Sequence, residues 1–156
     1  AQVYGDAQVY GNAQVYGNAQ VSMGHLIFGK LDQQAVVNDP RFILCSLNIV
    51  PINGIYTVHK RVNKIRDGVY ASIHDPGFTY RDGEISKVEN PYMDITVDCG
   101  SGIHVSTPTY WDEGDTLIAV EVKQEHIITC LSGKIRCSEC KTIGEVKLDD
   151  YNDSAG

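Results

Sequence analysis

The stretch from Asp98 to Pro108 concentrates the residue types that can bind or transfer charge. Its Gly-Ser-Gly turn lets the backbone approach another group closely and presents free N–H groups. His104 follows on an expected strand, with two hydroxyl side chains and a predicted helix start behind it. This layout predicts an anion site or a proton-transferring histidine, and a tight β-hairpin with a buried histidine is the alternative. The candidate ligand-binding residues taken from it are Gly100, Ser101, Gly102, His104 and Ser106.

The cysteines suggest a second kind of chemistry. There are five of them, and an odd number without a secretion signal favours free thiols in a reducing compartment. Cys137 and Cys140 have the C-x-x-C spacing of metal ligands, and Cys99 with His104 would complete a four-ligand zinc set. If 134–146 is one continuous strand, however, Cys137 and Cys140 point to opposite faces. Buried thiols that pack like small hydrophobic side chains are the alternative.

The run from His59 to Arg66 is the one local concentration of positive charge. Strand alternation places Lys60 and Lys64 on one side and Arg61 on the other, so no single basic face results. A solvated strand is the expectation, and contact with a phosphate or a nucleotide is the alternative. The sequence contains no G-x-S-x-G, P-loop, H-E-x-x-H or dinucleotide fingerprint.

Composition narrows the functional classes. The 156 residues provide for one ordinary domain plus a repeat segment, and the hydrophobic content of 42% suits a globular fold. A net charge of -7 argues against a protein whose main partner is nucleic acid. Because no apolar run reaches about 18 residues, the sequence predicts no membrane span.

The elements expected to position these residues are short β-rich runs separated by Gly, Pro, Asn and Asp. Strands are predicted at 25–29, 41–50, 54–62, 68–75, 93–99, 102–106, 116–122, 126–131 and 134–146. One short helix is predicted to start at Thr107–Pro108, with Thr as its cap and Pro in its first turn. The expectation is a compact, mainly antiparallel β domain over 24–148, followed by a polar tail at 149–156.

The first 21 residues repeat a six-residue unit, AQVYGD or AQVYGN. Within each unit the Ala, Val and Gly positions share one face of an extended strand, and Gly-Asn or Gly-Asp supplies a corner. A period of six predicts a left-handed hexapeptide β-helix coil over 1–23. Roughly three stacked repeats are needed to bury a useful core. We therefore expect further coils before residue 1 or, second, a homotrimer around this segment.

VYGNA hexads leading into a C-terminal module resemble uncharacterised proteins of bacteriophages and prophages. The similar phrases are YTVHKRVNK, CGSGIHVSTPTYW, LIAVEVKQEHII and GKIRC. The order C-x-x-G-[IL]-H and then K-[IL]-R-[VC]-C also resembles part of the phage rapid-lysis B-type proteins. This resemblance adds Arg136 to the candidate ligand-binding residues and implies a location in the host cytoplasm or the virion. It carries no established activity.

A shorter pattern, G-x-G-I-[HY] followed by Ser and a Tyr-bearing segment, is similar to the NAD-binding core of ADP-ribosyltransferases. That resemblance would place Gly102, His104, Ser106 and Tyr110 around a nicotinamide, with Glu121 as the candidate acid. The upstream His-Gly signature of that family is absent from the sequence.

The leading hypothesis is a non-enzymatic phage or prophage protein, a β-solenoid that carries a capping or recognition module. One alternative is an anti-defence or regulatory module that binds a host protein or a nucleotide through 100–108. A second alternative is an ADP-ribosyltransferase-like enzyme. Zinc is the one cofactor that the sequence suggests.

Overall fold

The computed structural model describes residues 39–131 and 133–147, together with six two-residue strands near the N-terminus. These strands are β1 (Gln2–Val3), β2 (Gln8–Val9), β3 (Gln14–Val15), β4 (Gln20–Val21), β5 (Leu26–Ile27) and β6 (Lys30–Leu31). They form three parallel pairs, β1 with β4, β2 with β5 and β3 with β6. The connections between these strands lie outside the described residues, so the β-helix coil over 1–23 stays a prediction, as does the polar tail.

The helix of the described region is α1 (Pro40–Ser46), within a stretch predicted to be a strand. Asp39 caps it, because its side chain accepts a hydrogen bond from the Arg41 backbone N–H at 2.9 Å, and Pro40 occupies the first turn. An apolar run of this length fits either a strand or a helix, and the cap decides in favour of the helix. Ile43 and Leu44 are buried in the core.

The helix predicted at Thr107–Pro108 does not form. The chain makes a turn there, in which the Tyr110 N–H donates to the Thr107 carbonyl at 3.3 Å. Gly114, with φ +86°, follows closely, and a Cβ there would lie 2.7 Å from the Val62 carbonyl oxygen. The chain must therefore turn back against the sheet before a second helical turn can be completed.

Nine strands make up one sheet. They are β7 (Ile55–Arg66), β8 (Val69–Ala71), β9 (Thr79–Arg81), β10 (Ile85–Lys87), β11 (Ile103–Ser106), β12 (Thr116–Lys123), β13 (Ile127–Leu131), β14 (Lys134–Cys137) and β15 (Glu139–Glu145). The strand order is β10-β15-β12-β7-β11-β14-β13, with β8 pairing with β7 and β9, and every pair is antiparallel. A short 3-10 turn, Gln124–His126, leads from β12 into β13. The predicted mainly antiparallel β fold with one short helix is confirmed for the described region.

Three details of the sheet differ from the sequence prediction. The stretch 134–146 is not one strand, because it breaks at Ser138, where β14 ends beside β11 and β15 begins beside β10. Strands β9 and β10 were not predicted. The predicted strand at 93–99 is instead a series of turns, in which the Asp94 carboxylate accepts hydrogen bonds from the backbone and the hydroxyl of Thr96.

Strand β7 crosses the middle of the sheet and places every second side chain in the core. Tyr56, Val58, Lys60 and Val62 are buried on this face, as period-two alternation requires. Lys60 therefore lies on the buried face of β7, among side chains that are otherwise apolar. No helix in the described part of the chain is long and apolar enough to cross a membrane.

Candidate ligand-binding site

A cavity of about 720 Å³ opens where β7 leaves β11 and begins to pair with β8. Strand β11 pairs with β7 at one register position only, Ser106 opposite His59, and β8 pairs with β7 from Asn63 onward. The stretch between them, Lys60 and Arg61, lines the cavity. The divergence of the two partner strands therefore creates the cavity at the centre of the sheet.

Lys60 is the most unusual group in this cavity. Its side chain lies in the core register, and the residue is 9% exposed. Its Nζ donates one hydrogen bond to the His104 carbonyl at 2.8 Å and lies 5.4 Å from the centre of the Tyr80 ring. No carboxylate among the described residues lies within ion-pair distance of it. Burial lowers the pKa of this ammonium, since desolvation disfavours the charged form.

His104 and Arg61 line the same cavity, and each has a buried nitrogen without a hydrogen-bond partner among the described residues. These atoms are His104 Nε2 and Arg61 Nε. Burial lowers the pKa of His104 to about 4, and the positive charges of Lys134 and Lys60 add to that effect. His104 is therefore neutral at pH 7, and the two lysines lie close to it.

The predicted Gly100-Ser101-Gly102 turn forms another part of the wall. Its glycines allow a close approach, because a Cβ on Gly102 would lie 2.7 Å from Cγ of Arg136 and one on Gly100 would lie 2.8 Å from the Tyr92 ring. The Tyr92 N–H donates to the Ser101 carbonyl at 2.7 Å. Bulkier residues would push the turn away from the groups behind it.

Arg136, a predicted ligand-binding residue, lies behind this turn and is not among the residues that line the cavity. It is fully buried, donates hydrogen bonds to the carbonyls of Val97 and Asp94, and lies against the Tyr92 ring at 5.5 Å. Arg136 therefore holds the 92–102 segment in place from its inner side.

The cysteines predicted as zinc ligands are divided between two environments. Cys137 and Cys140 are buried in the core, where burial raises the pKa of both thiols, that of Cys140 to about 12. Cys99 is exposed at the cavity and accepts a hydrogen bond from Lys134 Nζ at 2.8 Å. The described residues contain no group of three or more His, Cys, Asp or Glu arranged to hold a metal ion. Zinc stays a prediction to which these contacts add no support.

The residues expected around a nicotinamide are only partly brought together. Gly102 and His104 line the cavity, and Ser106, Tyr110 and Glu121 are not among its lining residues. Ser106 is buried and donates its hydroxyl hydrogen bond to the neighbouring Thr107 carbonyl at 2.9 Å. The ADP-ribosyltransferase hypothesis stays an untested prediction.

Two residues of the site, Tyr80 and Trp111, were not assigned to any site by sequence reasoning. Lys60 was expected in a solvated strand, with phosphate or nucleotide contact of its basic run as the alternative. The apolar neighbours of Lys60 at alternate positions, Val58 and Val62, were a signal for its burial. The aromatic side chains gave no local signal, because β9 was not predicted and Trp111 was assigned to a helix.

No protein-family model, no curated protein and no solved structure matches this chain. The functional conclusion therefore depends on the geometry of the cavity.

Proposed function

We propose that this protein is a non-enzymatic recognition module that binds a small anionic ligand in the cavity beside Lys60. The observation that carries the proposal is a buried ammonium that lines a cavity and has no carboxylate partner among the described residues. Buried charges in proteins are usually paired, because an unpaired one has a desolvation cost of several kcal/mol. A bound anion would supply the missing partner.

The hydrogen-bonding inventory of the site supports an anion. An ammonium has three donors, and Lys60 uses one of them on the His104 carbonyl. Lys134 and Arg61 line the same cavity and bring two further positive side chains, of which Lys134 also pairs with Asp98 at 3.6 Å. Carboxylates of Asp75, Glu89 and Glu113 line the cavity as well, so the proposal depends on the positive groups beside Lys60 and not on the charge of the whole cavity.

The state of His104 and of the two buried thiols favours binding over catalysis. His104, with a pKa of about 4, is a weak base at neutral pH. Cys137 and Cys140 are neutral thiols in the core, away from a role as nucleophiles. These properties support a protein that binds and releases its ligand without changing it chemically.

The same proposal includes a platform, a β-helix coil built from the N-terminal hexads. The register of the first two strand pairs supports it, since Gln2 lies opposite Gln20 and Gln8 opposite Leu26, three hexads further along the chain. Such a coil acts as a spacer or platform for the module that it carries. Origin in a phage or prophage, association as a homotrimer and binding of a host or phage protein belong to this proposal as well.

Isothermal titration calorimetry with inorganic phosphate, pyrophosphate and citrate tests the anion site. We expect one anion to bind with 1:1 stoichiometry, and its affinity to fall as salt rises because charges attract it. Lys60→Met should abolish that binding, since it removes the charge and keeps the volume. Lys64→Met is the matched control, because Lys64 lies on the same strand outside the cavity.

Two results would overturn the proposal. One is the absence of binding by all three anions to the wild-type protein at millimolar concentration. The other is equal affinity in wild type and Lys60→Met, provided that the two proteins have the same melting temperature. His104→Gln supplies a further check. If this variant loses anion binding and keeps its melting temperature, the module does more than cap the β-helix coil.

A further inference from the structure

We infer that the anionic ligand is a nucleoside phosphate, bound with its phosphate beside Lys60 and its base against the aromatic wall of the cavity. This inference depends on the proposed anion site and names its ligand class. It comes from the arrangement of positive, aromatic and negative side chains around a single cavity.

Two lysines line the cavity around strand β11. Lys60 donates to the His104 carbonyl at 2.8 Å, and Lys134 lies opposite Ser106 in the β11–β14 pair. The Gly100–Gly102 turn lines the same cavity, and at its two glycines no side chain covers the backbone. Several donors around one anion suit a phosphate, which has several acceptor oxygens, better than a single carboxylate.

The aromatic wall of the cavity starts beside Lys60. Lys60 Nζ lies 5.4 Å from the Tyr80 ring centre, and the Tyr80 and Phe78 ring centres are 5.3 Å apart. Trp111 lines the cavity from another loop, and its ring is held edge-on by Tyr110 at 4.8 Å and 86°. A ring fixed in this way loses little conformational freedom when a base stacks on it.

Carboxylates complete the lining of the cavity. Asp75, Glu89 and Glu113 are three acceptors for the hydroxyl groups of a ribose or the amino groups of a base. Glu89 lies 3.6 Å from Lys87 Nζ, and Glu113 lies 4.0 Å from His74 Nε2, so both are loosely paired at the surface. A simple inorganic anion would leave these acceptors and the aromatic wall unused.

The size of the cavity agrees with such a ligand. Its volume of about 720 Å³ falls within the range of roughly 300–1,000 Å³ that drug-sized ligands occupy. A bare phosphate would fill a small part of this space, and a mononucleotide fills much more of it.

A ligand series tests the inference, using GMP, AMP, ribose 5-phosphate and guanosine in calorimetric titrations of the full chain. At least one mononucleotide should bind about 5- to 100-fold more tightly than ribose 5-phosphate, which is the range expected for one base–aromatic contact. Trp111→Ala should reduce this ratio to near one and leave the affinity for ribose 5-phosphate unchanged. Trp111→Phe, which keeps an aromatic ring, should restore part of the ratio.

The outcomes separate this inference from the proposal on which it depends. If ribose 5-phosphate or citrate binds as tightly as both nucleotides and Lys60→Met abolishes that binding, the anion site stands and the nucleotide inference is wrong. An unchanged nucleotide preference in a folded Trp111→Ala protein also overturns it. If no phosphate compound binds and Lys60→Met changes nothing, both fail together.

Discussion

Arg136 and Lys60 are two buried cations that both donate hydrogen bonds to the chain segment 92–104, and their surroundings differ. The Arg136 guanidinium donates to the carbonyls of Val97 and Asp94 and lies against the Tyr92 ring. Lys60 has one carbonyl partner and one ring, and its remaining surroundings are a cavity. Neither has a carboxylate partner among the described residues.

The difference in hydrogen-bond partners distinguishes a cation that stabilises the fold from one that is available to a ligand. A guanidinium in contact with backbone carbonyls fixes the loop that supplies those carbonyls, and its removal leaves them buried and unpaired. An ammonium beside a cavity leaves donors for a ligand. Arg136 therefore stabilises the loop, and the proposed function assigns Lys60 to the binding of the ligand.

The largest expected effect is on the stability of Arg136→Met. We expect it to lose about 3–5 kcal/mol of unfolding free energy, because the change breaks a buried network and orphans two carbonyls. Lys60→Met should stay within about 1 kcal/mol of wild type, since loss of one hydrogen bond is offset by removal of a desolvated charge. Urea unfolding followed by circular dichroism measures both. Equal losses in the two variants would mean that Lys60 is structural too.

The second effect concerns the Gly100–Gly102 turn, which packs against Arg136. Gly102→Ala would place a Cβ 2.7 Å from Arg136 Cγ, and we expect this overpacking to cost about 1–3 kcal/mol beyond the cost of the backbone conformation. Gly144→Ala is the matched control, because Gly144 has almost the same φ, +151° against +153°, but nothing closer than 3.7 Å to its Cβ position. Urea midpoints give the comparison. A Gly144 variant that loses as much as the Gly102 variant would show that backbone conformation, not contact with Arg136, sets the cost.

Much of the fold could be predicted from the sequence, because its signals are local. Alternating apolar residues marked β7, and a nearly continuous apolar run marked β12. The helix was misassigned because its apolar run fits either element, and the Asp39–Pro40 cap was overlooked.

The site was predicted less completely, because its geometry depends on contacts distant in sequence. The Gly100–His104 segment was found from its composition, and the structure places it at the cavity. The alternating apolar residues Val58 and Val62 signal the burial of Lys60, but the cavity beside it depends on where β8 pairs with β7, which no local pattern reveals. Arg136 was assigned to ligand binding from the resemblance to phage proteins, and the sequence does not show on which side of the turn its side chain lies.

The third effect is pH dependence from His104, whose carbonyl accepts from Lys60 and which lies opposite Arg136 in the β11–β14 pair. Its pKa is about 4 in the folded protein against an ordinary value of 6.5, so the unfolded chain binds the proton more readily. The stability that His104 contributes is complete above pH 6.5 and is lost as the pH falls toward 4. In His104→Gln this loss should be absent, and the difference in unfolding free energy between wild type and variant should therefore change over that window. A constant difference from pH 7 to pH 4 would contradict the burial of His104.

The smallest expected effect comes from Lys64, which shares the strand and the face of Lys60 but lies beyond the core. Its Nζ pairs with Glu145 at 2.9 Å and with Asp67 at 3.0 Å, and these carboxylates raise its pKa where burial lowers that of Lys60. Because solvent screens such exposed pairs, Lys64→Met should leave both the urea midpoint and the anion affinity close to wild type. Loss of anion binding in this variant would mean that the general positive charge of β7 attracts the ligand. Retention of binding in Lys64→Met and its loss in Lys60→Met would place the recognition at the one lysine that the sheet buries beside the cavity.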